Sequence, residues 1–255
     1  MVEILEARGL SKQFGGVSAL RDVSFAAEAD RITAVIGPNG AGKTTLFNLI
    51  AGVYAPTSGT VLLRGRSLNG LRAHQRVSLG LARTFQAALP FPNMTVIENV
   101  MTGRHLRSSY GWLEAALRTR RARREESDIL LEATYYLNLV GLGTKAMERA
   151  ASLPFGEQRL LAIARALATQ PSVLLLDEPG VGLNALEKAE LADLLRRLRE
   201  MGITILLVEH DMDLVMRTAD QVVVLDFGEK IAEGPPAVVR KDPRVIAAYL
   251  GEELA

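Results

Sequence analysis

The 255-residue chain has no cysteine, which excludes disulfides, zinc–thiolate sites and thiol catalysis and is compatible with a reducing compartment. Long apolar runs are missing too. No stretch approaches the ~18 residues that a bilayer-spanning helix needs, so any membrane role has to come through a partner. Excess charge of one sign is also absent. Thirty Lys and Arg against 29 Asp and Glu leave a net charge of +1, and global electrostatics select neither nucleic acid nor a membrane surface. The opening residues Met1–Glu6 are acidic and amphipathic, unlike a signal peptide. With 48% apolar and 23% charged residues, the rest is ordinary for a soluble globular protein of one large or two small domains.

What is present is a phosphate-binding loop pattern, G-x-x-x-x-G-K-[ST], at Gly37, Pro38, Asn39, Gly40, Ala41, Gly42, Lys43, Thr44 and Thr45. Glycines let the backbone wrap closely, so that successive N–H groups form an anion nest. Lys43 adds a point charge for the β- and γ-phosphates, and the Thr44 hydroxyl can bind Mg²⁺. Four fixed positions arise by chance in roughly one chain of this length in a hundred, so the flanks decide. Arg31–Ile36 reads as a buried parallel strand, and Thr45–Ala51 as a helix ended by Gly52. The helix N-terminus aims its partial positive charge at the phosphates.

A second signal is Val173–Leu176 followed by Asp177, Glu178 and Pro179. Two carboxylates at the C-terminal end of a buried strand fall in the ligand crevice of a parallel sheet. Asp177 is placed to hold Mg²⁺, directly or through water. Glu178 can orient and polarise an attacking water, since a metal-bound carboxylate is a poor base. The strand Ile203–Val208 leads to Glu209, His210 and Asp211, which puts His210 at the same edge, where an imidazole can bond a γ-phosphate or steady water. His74 and His105 read as surface residues. Gln86 is a neutral amide able to reach Mg²⁺ or water.

Around these motifs, residues 1 to about 30 read as short strands broken at Gly9, Gly15–Gly16 and Ala29–Asp30, and residues 57–66 as a turn and hairpin. Long helical patterns fill about 88–160. From residue 173 strands alternate with helices (Leu186–Met201 and Asp211–Ala219), which implies βαβ units and a mainly parallel sheet. Asp226-Phe227-Gly228 reads as a hairpin turn and not as a kinase triplet, because no H-R-D motif precedes it. The arginine run at 118–124 reads as a solvated helix face balanced by Glu125, Glu126 and Asp128.

In this order the motifs resemble the ATPase subunit of ATP-binding cassette (ABC) transporters over nearly the whole chain. The set is Phe14, the loop at 37–45, Gln86, Leu153-Pro154-Phe155-Gly156-Glu157-Gln158, Asp177-Glu178, Gly182-Leu183-Asn184 and His210. Within that family Ala82–Gln86, Met94–Val100, the insertion at about 104–135 and the tail from Asp242 to Gly251 are most similar to cassettes of branched-chain amino acid importers. The resemblance implies an α/β phosphate-loop ATPase core with a mainly parallel sheet (about 1–87 and 161–255), an N-terminal antiparallel β subdomain and a helical insertion (about 88–160). It implies that Phe14 stacks on adenine, that residues 153–158 cap the ATP held by a second subunit from the start of a helix at Arg159–Ala168, that Asn184 communicates across that interface, and that Glu178 and His210 form the hydrolytic pair. One departure stands out. The usual signature Leu-Ser-Gly-Gly-Gln is here Leu153-Pro154-Phe155-Gly156-Glu157. Pro154 has neither hydroxyl nor backbone N–H, and Glu157 brings a negative charge near an anion.

The expected function is therefore an ATP- and Mg²⁺-dependent ATPase that powers a membrane importer of branched-chain or related aliphatic amino acids. It would sit peripherally at the cytoplasmic face of the cell membrane. Its partners would be integral-membrane permease subunits, contacted through the Gln86–Met101 surface, a second and preferably homologous ATPase subunit, and indirectly an extracytoplasmic solute-binding protein. No nucleic acid is expected. The competing reading, a soluble ABC-type ATPase acting on nucleic acid or ribosomes, commonly comes with two cassettes in one chain or a long coiled coil, and neither is present. A regulatory module that binds ATP without turnover is disfavoured by the intact Glu178 and His210.

Overall fold

A computed structural model describes residues 2–84, 90–104, 114 and 119–250, among which the following elements are numbered. The chain divides into two compact units, residues 1–86 with 172–255, and residues 87–171. The first unit carries two sheets. In the four-stranded antiparallel sheet, β1 (Glu3–Phe14) pairs with β2 (Val17–Glu28) and with β4 (Ser58–Leu63), which pairs with β5 (Arg66–Ser67). The expected break at Gly9 is instead a bulge: Gly9 has φ +59° and the register slips between Ala7 and Leu10, while both strands run on for 12 residues.

The second sheet has the order β10–β9–β3–β8–β7–β6. These strands are Glu229–Gly234 (β10), Gln221–Asp226 (β9), Ile32–Ile36 (β3), Thr204–Val208 (β8), Val173–Asp177 (β7) and Leu81–Arg83 (β6). From β9 to β6 all pairs are parallel, and only the β9–β10 hairpin is antiparallel. The central strands β3, β7 and β8 are buried at every residue, as strands covered on both faces must be. Alternation sorts their side chains. Val35, Val223 and Leu225 join the cluster that includes Leu46, Phe47 and Ile50, whereas Ala34, Ile36, Val222 and Val224 join the one that includes Val215 and Val239.

Helix α1 (Lys43–Ala51) follows the loop after β3 and ends at Gly52, whose φ of +78° gives a left-handed cap. The last carbonyls of α1 are taken up by α2 (Ala73–Ser78). Arg76, buried there, donates to the oxygens of Leu49 (2.8 Å), Ile50 (2.7 Å) and Leu71 (3.1 Å). Parallel strands are joined by α6 (Ala185–Glu200) and α7 (Met212–Thr218), and the unit closes with α8 (Pro236–Val239) and α9 (Pro243–Leu250).

The second unit contains α3 (Val96–Arg104), α4 (Arg120–Leu139) and α5 (Phe155–Leu167). Buried Asn99 of α3 donates to Phe91 O (3.1 Å) and Thr95 O (2.9 Å) and accepts from Phe91 N (2.8 Å), which pins the preceding loop. Helix α5 begins at Phe155, four residues before the expected Arg159. Pro154 has φ −54° and ψ 155°, an extended cap geometry that proline tolerates, and the helix propagates straight from it.

Replacing Arg76 with Met removes the Arg76 donor from Ile50 O and Leu71 O, and leaves Leu49 O with the Gly52 N–H alone. Stability should fall by about 2–3 kcal/mol, since unmet buried acceptors cost this much. Urea unfolding of the two proteins measures it, and equal midpoints and slopes would contradict the assignment.

Candidate nucleotide site

Parallel order brings the C-terminal ends of β3, β8, β7 and β6 to one edge. The loop after β3, His210 after β8, Asp177–Glu178 after β7 and Arg83 at the end of β6 thus stand in a row. With strands about 4.8 Å apart, the ends of β3 and β7 lie about 10 Å from each other across β8, and the helix that follows the loop packs against β7 and β6.

The loop conformation is dictated by glycine. Gly37 (φ +148°) and Gly42 (φ +99°) lie where side chains are strained. A Cβ on Gly37 would come within 2.1 Å of Leu225 O, and one on Gly42 within 2.7 Å of Ala19 O. The β9–β10 turn braces the loop from outside: Gly228 donates to Ala41 O (3.1 Å), and Arg21 N donates to Gly228 O (2.8 Å). Asp226-Phe227-Gly228 is thus a hairpin turn, as expected, with both Phe227 and Gly228 at positive φ. Lys43 folds back over its own loop and donates to Gly37 O (2.6 Å) and Pro38 O (2.8 Å). Helix α1 has no side-chain cap and no acidic residue in its first turn, whereas α4, α6 and α7 are capped by Thr119, Asn184 and Asp211. The first N–H groups of α1 therefore face no competing carboxylate of their own helix, which suits an anion. Thr44 and Thr45 follow in that first turn, with Thr44 exposed.

Asp177 is 4% exposed and accepts from Arg83 Nη2 at 2.8 Å. Glu178 is half-buried and sits at φ +48°, outside the ordinary range of a glutamate. That strained backbone is held by its N–H donating to Val208 O at 2.9 Å. His210 projects with a side chain 60% exposed.

Between them lies a residue to which sequence reasoning assigned no role. Glu209 is fully buried and accepts from Gly180 N (2.6 Å), His210 N (3.2 Å) and Asp211 N (3.4 Å). It ties the His210 loop to the turn after Glu178. Burial pushes its carboxyl above the ordinary value of 4.5, with the three backbone N–H groups and His210 acting in the opposite direction. Its place beside His210, directly after the apolar run Ile205–Val208, was the available clue.

Phe14 is partly exposed at the end of β1 and meets Tyr54 edge-on, with centroids 5.3 Å apart, while Lys12 Nζ lies 5.0 Å from the Phe14 ring centre. Tyr54 and Lys12 thus flank the ring of Phe14. Asn184 accepts from Leu186 N (2.9 Å) and Glu187 N (3.0 Å) as the cap of α6, and Glu187 returns a bond to Asn184 N (2.8 Å). Lys188 of α6 pairs with Asp211. Gln86 lies outside the described residues.

In the second unit, the segment 153–157 is the entry to α5. Leu153 is buried, Phe155 is exposed with Arg159 over its ring at 4.7 Å, and Gln158 donates to Leu153 O (2.9 Å). Gly156 and Glu157 lie in the first turn, and Glu157 accepts from Lys145 Nζ at 2.6 and 2.7 Å. Its charge is therefore balanced, and the unfavourable charge expected of Glu157 is largely offset.

The fold and edge define an α/β phosphate-loop ATPase. The ABC transporter family model matches residues 20–181, and a model for the branched-chain amino acid ATP-binding cassette transporter matches residues 229–255. The chain belongs to the ABC transporter family. It is 44% identical to the high-affinity branched-chain amino acid transport ATP-binding protein LivG of Escherichia coli (strain K12), over 98% of both chains. It is 42% identical to the corresponding protein BraF of Pseudomonas aeruginosa, again over 98% of both. Its structure superposes on the ADP conformation of an ATP-binding cassette of an ABC transporter with a TM-score of 0.86 and 31% identity, covering 98% of this chain and all of the other. Among the described residues no helix is long and apolar enough to cross a membrane.

Glu209 gives a test with a defined sign. Its folded value lies above the unfolded one, so its stabilising contribution is fully present below pH 4.5 and is lost as pH rises through the folded value. The stability of the wild type relative to Glu209→Gln should therefore fall as pH rises above 4.5 and then level off. Denaturant midpoints of both proteins across that range measure it, and a wild type that gains stability relative to Glu209→Gln as pH rises would contradict the burial argument.

Proposed function

We propose that this ABC ATPase hydrolyses ATP to drive a membrane importer for branched-chain or related aliphatic amino acids. The observation that carries the reading is the single sheet edge on which the glycine loop, Asp177–Glu178 and His210 converge. The cargo rests on the relatives' names.

In this reading the N–H groups of residues 39–45 and the Lys43 ammonium hold the phosphates, and the adenine stacks on Phe14 beside Tyr54. The donors fit Mg²⁺. Among the described residues no group of three or more acidic, histidine or cysteine side chains could cage a metal. A lone buried carboxylate, Asp177, with the Thr44 hydroxyl and the nucleotide's own oxygens is the hard, water-rich set that Mg²⁺ prefers. Gln86 is a further candidate for the metal or its water. The bound ion would neutralise charge on the transferring phosphoryl group. Glu178 orients and polarises the water, and His210 steadies the γ-phosphate side of the pair. Residues 153–157 of one subunit cap the nucleotide of another, with Asn184 near the same interface. The chain works at the cytoplasmic face of the cell membrane, bound to permease subunits through residues 86–101 and paired with a second cassette, while an extracytoplasmic solute-binding protein feeds the permease.

Glu178→Gln should lower ATP hydrolysis by at least about 100-fold, the usual worth of a general base, with ATP binding retained. Affinity capture of the tagged chain from solubilised native membranes should recover multi-span permease subunits and a second cassette. Hydrolysis indifferent to Glu178, or recovery of ribosomal or nucleic-acid proteins without a permease, would contradict the reading.

The signature carries its own prediction. Pro154 removes a hydroxyl and a backbone N–H from a helix start that faces phosphate in this reading, whereas Lys145 already offsets Glu157. Pro154→Ser combined with Glu157→Gln should raise ATPase activity of the assembled complex about tenfold, the worth of one hydrogen bond to a charged group. Pro154→Ser alone should give most of that gain, and unchanged activity in both variants would sink the idea.

A further inference from the structure

The least expected feature of the edge is the cation placed beside its metal carboxylate. Arg83, at the end of β6, is a buried fork with its side chain only 6% exposed. Nη2 donates to Asp177 Oδ2 at 2.8 Å and Nη1 donates to Asn48 Oδ1 at 2.7 Å. Its guanidinium carbon lies 5.7 Å from the centre of the Phe47 ring. One planar group thus joins three elements: α1 through Asn48, β7 through Asp177, and its own strand β6.

The connection to α1 is specific. Asn48 stands four residues after Thr44, so both lie on one face of the helix. A clamp from Asn48 to Asp177 therefore sets the carboxylate against the helix face that carries the candidate metal hydroxyl. It occupies Oδ2 and not Oδ1. Buried ion pairs are poor stabilisers on balance, because desolvating both groups costs about as much as their attraction returns. Retaining one at the metal edge therefore needs a reason beyond stability, and orientation supplies it.

We propose that Arg83, held by Asn48, is a positioning residue that fixes the rotamer of Asp177 so that Oδ1 is offered to nucleotide-bound Mg²⁺. The inference rests on the ATPase reading above and adds to it a determinant of metal coupling outside the phosphate loop, Asp177 and Glu178. Lysine cannot replace the fork: a point charge reaches Asp177 or Asn48 but not both with the same planarity. Outer partners of a metal ligand typically contribute about 10- to 100-fold to metal affinity, which sets the size of the expected effect.

The test is equilibrium binding of a non-hydrolysable ATP analogue to the full chain, with Mg²⁺ and with excess chelator. The measured quantity is the ratio of the two affinities. In Arg83→Met the affinity without metal should stay within about twofold, because the phosphate loop is intact, while the Mg²⁺-dependent gain should drop about tenfold or more. Arg83→Lys should lose part of the gain. Asn48→Ala, which leaves the ion pair whole, should also lose several-fold of the Mg²⁺-dependent gain. A merely structural Arg83 would lower the melting temperature and both affinities alike, leaving the ratio at the wild-type value, and that result in Arg83→Met and Asn48→Ala overturns the proposal. Failure of the wild type to bind the analogue under either condition would overturn the ATPase reading itself, and this inference with it.

Discussion

Everything at the candidate site depends on the parallel pairing of β3, β8, β7 and β6. Parallel strands point the same way, so each strand's end and the chemistry attached to it fall on one edge. The register makes this concrete: Val35 lies opposite Val208, which in turn lies opposite Asp177. Slipping one strand by a residue would exchange the side chains packed on its two covered faces and move its terminal carboxylate or imidazole by about 3.3 Å. The complete burial of β3, β7 and β8 is therefore the positioning device for the chemistry as well as the core.

A layer of buried polar contacts finishes what the register begins. Glu209 satisfies three backbone donors and joins the loops after β7 and β8, and Arg83 joins the Asp177 carboxylate to α1. Each such charge is paired or hydrogen-bonded, as burial requires. The strained backbone at Glu178 is tolerated because its neighbours on β8 and in the following turn over-determine it. The strain at Glu178 and the buried charges of Lys43, Asp177 and Glu209 thus lie where nucleotide chemistry is proposed, while exposed pairs such as Arg21–Glu229 contribute little.

Much of this was legible in the amino-acid sequence. The loop at 37–45, the strand before Asp177 and the alternation after residue 173 announced themselves by local pattern, and the structure places strands and helices there within a residue or two. Three features were not legible, for physical reasons. Gly9 reads as a breaker, but a long antiparallel ladder absorbs it as a bulge. The start of α5 was read too late because Pro154 and Gly156 look like loop residues, yet proline suits a cap and one glycine costs a helix only ~1 kcal/mol. The roles of Arg83, Asn48 and Glu209 depend on contacts between residues 29 to 94 positions apart, which no local window contains.

The central claim is that nucleotide turnover at this edge powers solute movement. Its most direct test is uptake of labelled leucine by proteoliposomes containing the complete complex and the solute-binding protein, with ATP supplied on the cassette side. Uptake should require ATP and be abolished by Lys43→Ala, because the phosphate loop then lacks its cation. Uptake that persists without ATP, or that survives loss of Lys43 at full rate, would contradict it.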